Sequence, residues 1–557
     1  MRRIIVIAAG PAGIACATRL KRRLYEHEIN VVIPSAVAAA EKYDGPAGKR
    51  FTAMLPDVNA LELREVGVLE ADDIMPDLQA REITVGSPRG KLTVRYSDMV
   101  LEVPATVRVP RALHKADNIF TWPMPGFAAK PAACDAALAA AAQNGTTVLV
   151  TGNGAPAFEA VLLACEAGAK VLWLRTAQTE TPALEEQLLG VALKALGANV
   201  STLALPDTGA DELRFSLDNE GRTLRNVILP DGTQHACSCC LWTAPLMARH
   251  PILREDGLVL DEKGRIIISD TDKCPGLRLM GSGSAVPDVT LPFSGALVEC
   301  FSGGEENADI SAWAALDDVA GTKGHNTPPR AMSVRSALGA GIVFRRAGLS
   351  LAEAQARNMD CEYACISQPF NKAEGQNDLL AVSLVCDKAS RTLLGVQVLG
   401  MGCGKALADG LFGMALTCLA DGTSVARLAR RSPVGLPGAL LERACAVLVN
   451  KLETGIKGIT PEEFLASRNA GAEFFTLDLR SLPDWRQGHV PGAYNIPFTQ
   501  LKKRIQDEVP RFTPIVTVSA YGRDAYVASC RMAGLGARDQ YVLDGGMALW
   551  PFEEEQE

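Results

Sequence analysis

Twice in this chain a short apolar run ends in a glycine-containing turn, passes into a helical pattern and is answered by a second apolar run. In the first instance Ile4 to Ala8 reads as a strand, Gly10-Pro11-Ala12-Gly13 as the turn, Ile14 to Leu24 as a helix and Ile29 to Ile33 as a β-branched strand. In the second, Val148-Leu149-Val150 precedes Gly152-Asn153-Gly154-Ala155-Pro156-Ala157, a helix runs to about Glu166, and Val171 to Leu174 closes the unit. A strand that returns to the same sheet through a helix pairs in parallel, so each instance predicts a βαβ unit. Two such units predict two nucleotide-binding folds.

The second turn fits a dinucleotide. Gly152 permits the tight turn, Gly154 lets the backbone approach a pyrophosphate, and Ala157 is small enough for helix–strand packing. At the end of the next strand the acid that would hold a ribose hydroxyl is replaced by Arg175, which suits a 2′-phosphate and favours NADPH over NADH. A unit kept for packing alone would carry the same pattern.

At 557 residues the chain is long enough for about three to five domains. Its 48% hydrophobic and 22% charged residues are a globular balance, which excludes wholesale disorder. A net charge of -8 leaves no basic field for phosphate backbones, so no nucleic-acid partner is expected. The fifteen cysteines are scattered and read as reduced thiols of a cytoplasmic protein. No run reaches the ~18 apolar residues that cross a membrane, so no membrane partner is expected. Between the two units, Glu82 to Val85 and Leu92 to Tyr96 alternate like an antiparallel accessory sheet. Beyond them, Leu380 to Val385 and Leu394 to Leu399 flank a turn at Asp387 to Ser390, and residues 455–557 open on a helical Pro461-Glu462-Glu463-Phe464-Leu465.

The closing hundred residues carry Leu477-Asp478-Leu479-Arg480, Trp485, Gly488-His489-Val490-Pro491-Gly492-Ala493, Asn495-Ile496-Pro497 and Leu543-Asp544-Gly545-Gly546-Met547-Ala548-Leu549-Trp550. In this order, after the two βαβ units, the chain resembles the pyridine nucleotide-disulfide oxidoreductases of the coenzyme A-disulfide reductase and NADH-dependent persulfide reductase type, which end in a rhodanese domain. The resemblance implies an α/β chain with two nested Rossmann-like three-layer nucleotide-binding domains, an α/β dimerisation domain and a C-terminal rhodanese-like domain. It places an FAD-binding domain in 1–120 and 246–330, an NAD(P)-binding domain in 121–245, the dimerisation domain in 331–454 and the rhodanese-like domain in 455–557. It further implies FAD and NADPH or NADH as cofactors, a homodimer, and a redox or sulfur-carrier protein as partner.

Carried over residue by residue, the resemblance places Gly10, Gly13, Gly283 and Ser284 against FAD, and Gly152, Gly154, Ala157, Glu159 and Arg175 against NAD(P), with Glu159 on the nicotinamide side. The first site departs from the family four times. Ala8 takes the first glycine position, Ile33-Pro34 replace the ribose acid, Leu101 to Thr106 replace an alanine-threonine-glycine element, and Gly283-Ser284 replace glycine-aspartate. Each departure removes a contact to one ligand, which leaves FAD retention open.

Both expected catalytic cysteines are absent. The reductase thiol would lie roughly ten residues after the second strand. Ala40 to Pro46 stand there, and no cysteine occurs between Cys16 and Cys134. The rhodanese cysteine position holds Ser519, within Ser519-Ala520-Tyr521-Gly522-Arg523-Asp524-Ala525, and Asp524 stands where the family has arginine. Gly522 and Arg523 remain as an anion loop. The dimerisation-domain tyrosine is also missing, with Arg431 to Pro437 in its place.

The other candidates read as structural. Alternation puts Cys237 and Cys239 on one strand face and Cys240 on the other, so no metal site is expected. Cys16 and Cys530 fit core positions, Cys361 and Cys365 a strand entry, Cys403 a turn and His489 a rhodanese framework motif. Three functions follow: a degenerate binding or scaffold protein of sulfur and redox metabolism, an FAD-dependent NAD(P)H oxidoreductase with a non-thiol acceptor, or a sulfur-anion binding protein without turnover.

Overall fold

The computed structural model describes residues 2–8, 11–35, 45–47, 61, 65–87, 90–102, 105–122, 130–176, 184–205, 213–243, 246–248, 266–267, 276–280, 284–287, 297–299, 319, 334–371, 378–402, 404–430, 435–537 and 539–557. Backbone proximity divides the chain into two compact units, Met1–Thr181 with Ala198–Ser336, and Pro182–Gly197 with Ala337–Glu557.

The first unit opens with β1 (Arg3–Ile7), α1 (Pro11–Arg23) and β2 (Glu28–Pro34). Helix α1 turns Ile14, Ala17 and Leu20 onto Ile4, Val6 and Val31, which is the i, i+3, i+6 stripe its sequence encodes. Its last turn carries Lys21, Arg22 and Arg23, which complement the negative end of the helix. Strand β3 (Gly67–Ala71) extends the sheet beside β2. The predicted accessory sheet is present as antiparallel β4 (Asp73–Asp77), β5 (Glu82–Ser87) and β6 (Gly90–Arg95). Strand β7 (Asp98–Glu102) returns in parallel beside β1, and Leu277–Met280 pairs on its other side.

A second five-stranded parallel sheet in this unit combines β8 (Ile119–Thr121), β9 (Thr147–Thr151), β10 (Lys170–Thr176), β11 (Val200–Leu205) and β12 (Cys239–Trp242) in the order β11-β10-β9-β12-β8. Helix α2 (Pro131–Asn144) precedes β9, and α3 (Gly154–Glu166) crosses from β9 to β10. The cysteine cluster departs from expectation. The strand begins only at Cys239, after the Cys237 and Ser238 amides have donated to Arg225 and Thr147, so alternation does not run through Cys237. Cys237 therefore shares a hydrophobic cluster with Cys240, not a face with Cys239.

The second unit contains α4 (Glu186–Leu196) and the sheet β13 (Val334–Gly339), β14 (Ile342–Gly348), β15 (Cys361–Asn371), β16 (Asp378–Asp387) and β17 (Leu393–Met401), ordered β13-β14-β17-β16-β15. The short helix α5 (Leu351–Ala356) and the long helices α6 (Lys405–Ala420) and α7 (Gly435–Thr454) belong to the same unit. Its C-terminal part is a parallel sheet of β18 (Lys457–Ile459), β19 (Phe475–Asp478), β20 (Tyr494–Asn495), β21 (Ile515–Val518) and β22 (Gln540–Leu543), ordered β18-β22-β21-β19-β20. Helix α8 (Pro461–Asn469) starts on a complete capping box between Thr460 and Glu463, with proline at its first position. Helices α9 (Leu501–Glu508) and α10 (Arg523–Gly534) cover this sheet. No described helix is long and apolar enough to cross a membrane.

Buried polar groups join distant segments of this unit. The Lys451 ammonium donates to both Asp544 carboxylate oxygens, at 2.7 and 2.9 Å, and to the Tyr363 carbonyl at 2.7 Å. The Gln187 amide donates to the Asp544 carbonyl at 2.6 Å and accepts from the Tyr363 hydroxyl at 3.3 Å. Burial pushes the Asp544 carboxyl up to about 6, and Lys451 opposes that rise. Glu185, 8% exposed, accepts from the Leu351 amide at 2.7 Å, and its own amide donates to Gln397 at 2.9 Å. Burial raises the Glu185 carboxyl to about 7 against the Leu351 hydrogen bond and the Arg346 charge, while Glu353 and Glu462 add to the rise.

Two predictions follow from this packing. A Cβ on Gly395 would overlap the Leu349 carbonyl, so Gly395→Ala should cost ~2–4 kcal/mol in denaturant unfolding. Glu185 titrates at about 7 when folded against an ordinary 4.5, so its stabilising contribution is full below pH 4.5 and is lost as pH rises through 7. Unfolding free energy measured from pH 4 to 8 should therefore fall less in Glu185→Gln than in wild type, by about 3 kcal/mol.

Candidate nucleotide and rhodanese-loop sites

The second glycine turn has a backbone that only glycine adopts readily, with φ of +114° at Gly152 and +70° at Gly154. Trp173 Nε1 donates to the Gly152 carbonyl at 2.8 Å from inside the core, which fixes the turn against β10. Helix α3 starts at Gly154, so its first amides face the mouth of the turn, and Ala157 is fully buried as helix–strand packing requires. Thr151, at the end of β9, has a buried hydroxyl without a hydrogen-bond partner among the described residues. Glu159 accepts from Trp122 Nε1 at 3.1 Å. Arg175 sits near the end of β10 with its guanidinium 5.5 Å from the Trp173 ring centroid. The fold thus brings Gly152, Gly154, Ala157, Glu159 and Arg175 to one end of one parallel sheet.

The first turn is built differently. The Gly13 amide donates to Glu102 Oε2 at 3.0 Å, and the Glu102 side chain is almost fully enclosed, with the residue 3% exposed. A Cβ on Gly13 would lie 2.9 Å from that oxygen and 2.5 Å from Ala8 Cβ. The seat that an anion would take at the start of α1 therefore contains a carboxylate of the chain itself. Strand β2 runs through Pro34, so the position expected to hold a ribose-binding acid is a strand proline paired with Ala71. Ser284 opens the strand Ser284–Pro287, while Gly10 and Gly283 lie outside the described residues. So do Ala36 to Asp44, where the reductase thiol was sought, and Cys403 and Arg431 to Val434.

In the C-terminal domain the predicted motifs hold the framework. Asp478 is wholly buried and takes a forked contact from Arg480, whose Nη2 also reaches the Gly488 carbonyl at 2.7 Å. His489 stacks on Trp485 at 4.2 Å and bonds the Trp485 carbonyl through Nδ1, which fits its reading as framework. Ser519 is 2% exposed at the end of β21, and its Oγ accepts from the Gly522 amide at 3.1 Å. Gly522 has φ of +90° and caps α10. The amides of Met547 and Ala548 donate to the carbonyls of Ser519 and Ala520, so the Gly545-Gly546 turn holds the loop from behind. In front, Arg523, Asp524 and Tyr521 line a cleft of about 440 Å³ together with Arg443 and Asn450 of α7.

Thiols elsewhere are insulated. Burial pushes Cys16 up to about 12 and raises Cys240 and Cys365 well above the ordinary thiol range. Cys361 is half-buried on the same strand as Cys365, and Cys530 is half-buried against the C-terminal core. Among the described residues no group of three or more His, Cys, Asp or Glu side chains could hold a metal. Sequence reasoning did not single out Glu102 or the Lys451–Asp544 pair. Glu102 left one signal, a glutamate directly after the apolar run Met99-Val100-Leu101; Lys451 left none, being 93 residues from its partner.

The family profile for pyridine nucleotide-disulphide oxidoreductases matches residues 2–275, and that for rhodanese-like domains matches residues 460–551. Among solved structures, reduced CoADR-RHD from Bacillus anthracis superposes with a TM-score of 0.78 at 18% identity, over 99% of this chain and 97% of that one. A NAD-dependent persulfide reductase from A. fulgidus gives 0.74 at 18% identity, over 98% and 100%. At such identities the likeness is one of fold. The thiosulfate sulfurtransferase GlpE of Pseudomonas syringae pv. syringae is 30% identical over 97 residues, 17% of this chain and 89% of GlpE. An HTH-type transcriptional regulator of Mycobacterium tuberculosis is 35% identical over 96 residues, but the chain spans only 40% of that protein.

The oxidoreductase family implies use of FAD and NAD(P)H. The second turn fits such a dinucleotide, with two left-handed glycines, a helix starting at Gly154 and a buried Thr151 hydroxyl that has no partner among the described residues. At the first turn the Gly13 amide is taken by Glu102, while Gly10 lies outside the described residues. Two family matches in this order, on a fold shared along nearly the whole chain, make the protein a member of the pyridine nucleotide-disulphide oxidoreductases with a C-terminal rhodanese-like domain.

Proposed function

We propose that this oxidoreductase–rhodanese fusion acts as a binding or scaffold protein of sulfur and redox metabolism, not as a sulfurtransferase or thiol reductase. The observation that carries this reading is Ser519, whose hydroxyl stands at the rhodanese cysteine position and accepts the Gly522 amide. A hydroxyl forms no persulfide, and Asp524 in the neighbouring cleft disfavours an anion there. A cleft lined by Tyr521, Arg523 and Asp524 of the same loop supports recognition without turnover, with Arg523 as the cationic contact. A cytoplasmic homodimer that engages a redox or sulfur-carrier protein completes this reading. The wild-type protein should show no thiosulfate-to-cyanide sulfur transfer. Ser519→Cys should raise the rate at least about tenfold above that background, because the loop geometry is already in place; transfer by the wild type overturns the reading.

A second reading is favoured by the open second turn: electron transfer from NAD(P)H to an acceptor other than a bound thiol. NAD(P)H supplies a hydride when bound. On the protein side the Gly152 and Gly154 backbone would receive the pyrophosphate, and Arg175 the 2′-phosphate. Arg175→Ala should then weaken NADPH binding about tenfold or more and leave NADH unchanged, measured by calorimetric titration.

A further inference from the structure

The position of Glu102 is set by main-chain pairing, not by chance side-chain reach. Strand β7 lies in parallel register with β1, Leu101 opposite Ile7, which puts Glu102 next to Ala8 at the mouth of the first turn. On its other side Glu102 pairs with Met280, so the backbone is held from both flanks. From there the carboxylate reaches the Gly13 amide, in the first turn of a thirteen-residue helix. That amide belongs to the group left without a partner inside any helix, the group that receives phosphate in a dinucleotide site. A Cβ on Gly13 would meet Ala8 Cβ at 2.5 Å and Glu102 Oε2 at 2.9 Å, so helix, strand and carboxylate are closely packed at this point.

We propose that Glu102 is an intramolecular competitor for the pyrophosphate of the flavin dinucleotide, so that FAD loads only by displacing its carboxylate from α1. Both groups are anionic and both seek the positive end of the same helix, so their occupancy is mutually exclusive. The expectation of an FAD site shared with the oxidoreductase family and the geometry of this turn meet in that competition. It concerns loading alone and stands whether the loaded protein turns over or serves as a scaffold.

The test is FAD binding by the full-length apoprotein, followed by flavin fluorescence and calorimetry. Glu102→Gln keeps the side chain's size and removes its charge. It should tighten FAD at least about tenfold, equivalent to ~1.4 kcal/mol, relative to wild type. Riboflavin, which has no phosphates, should bind the two proteins alike, and NADPH affinity at the second turn should not change. Equal FAD affinity in wild type and Glu102→Gln overturns the proposal, as does an equal gain for riboflavin. If Glu102→Gln does not fold, Glu102→Asp withdraws the carboxylate by one methylene. Tighter FAD binding by that variant supports the competition, and unchanged binding overturns it.

Discussion

A parallel sheet obliges its crossover helices to begin at the same edge where its strands end, and every helix begins with amides that have no partner within it. The protein meets that constraint in three ways. At α1 a buried carboxylate, Glu102, takes an amide. At α3 the helix starts directly on a left-handed glycine turn. Ahead of α10 the Gly522 amide goes to the hydroxyl of Ser519. One backbone requirement is thus met by a carboxylate at α1, by a left-handed glycine turn at α3 and by a hydroxyl at α10.

The second unit shows what ties such edges in place. Asp544 closes the strand before the Gly545-Gly546 turn, and that turn supports the Ser519 loop through the amides of Met547 and Ala548. The same carboxylate is held by Lys451 from α7, and the Asp544 carbonyl by Gln187 from α4. Buried charges of this kind contribute little net stability over an apolar core, but losing one partner is severe. Their consequence here is positional, because the rhodanese loop takes its place from residues far away in the chain.

Much of this was legible beforehand for a specific reason. Ile4 to Ala8 and Val148 to Val150 could be recognised as strands because a buried parallel strand needs an unbroken apolar run, and the glycines after them because only glycine accepts φ of +114° or +70°. The rhodanese framework was visible because Asp478, Arg480 and His489 bond within a short span of chain. The cysteine cluster was misread because alternation holds only inside a strand, and the strand starts two residues later than the pattern suggested.

By itself the sequence determined that an oxidoreductase region precedes a rhodanese-like one, the parallel character of the two nucleotide-type sheets, and the presence of serine at position 519, since each follows from local residue type and spacing. Tertiary structure alone decided that Glu102 reaches Gly13 and that Lys451 meets Asp544. Those contacts join residues 89 and 93 positions apart, and no local periodicity encodes which side chain a folded sheet will deliver to a distant helix end.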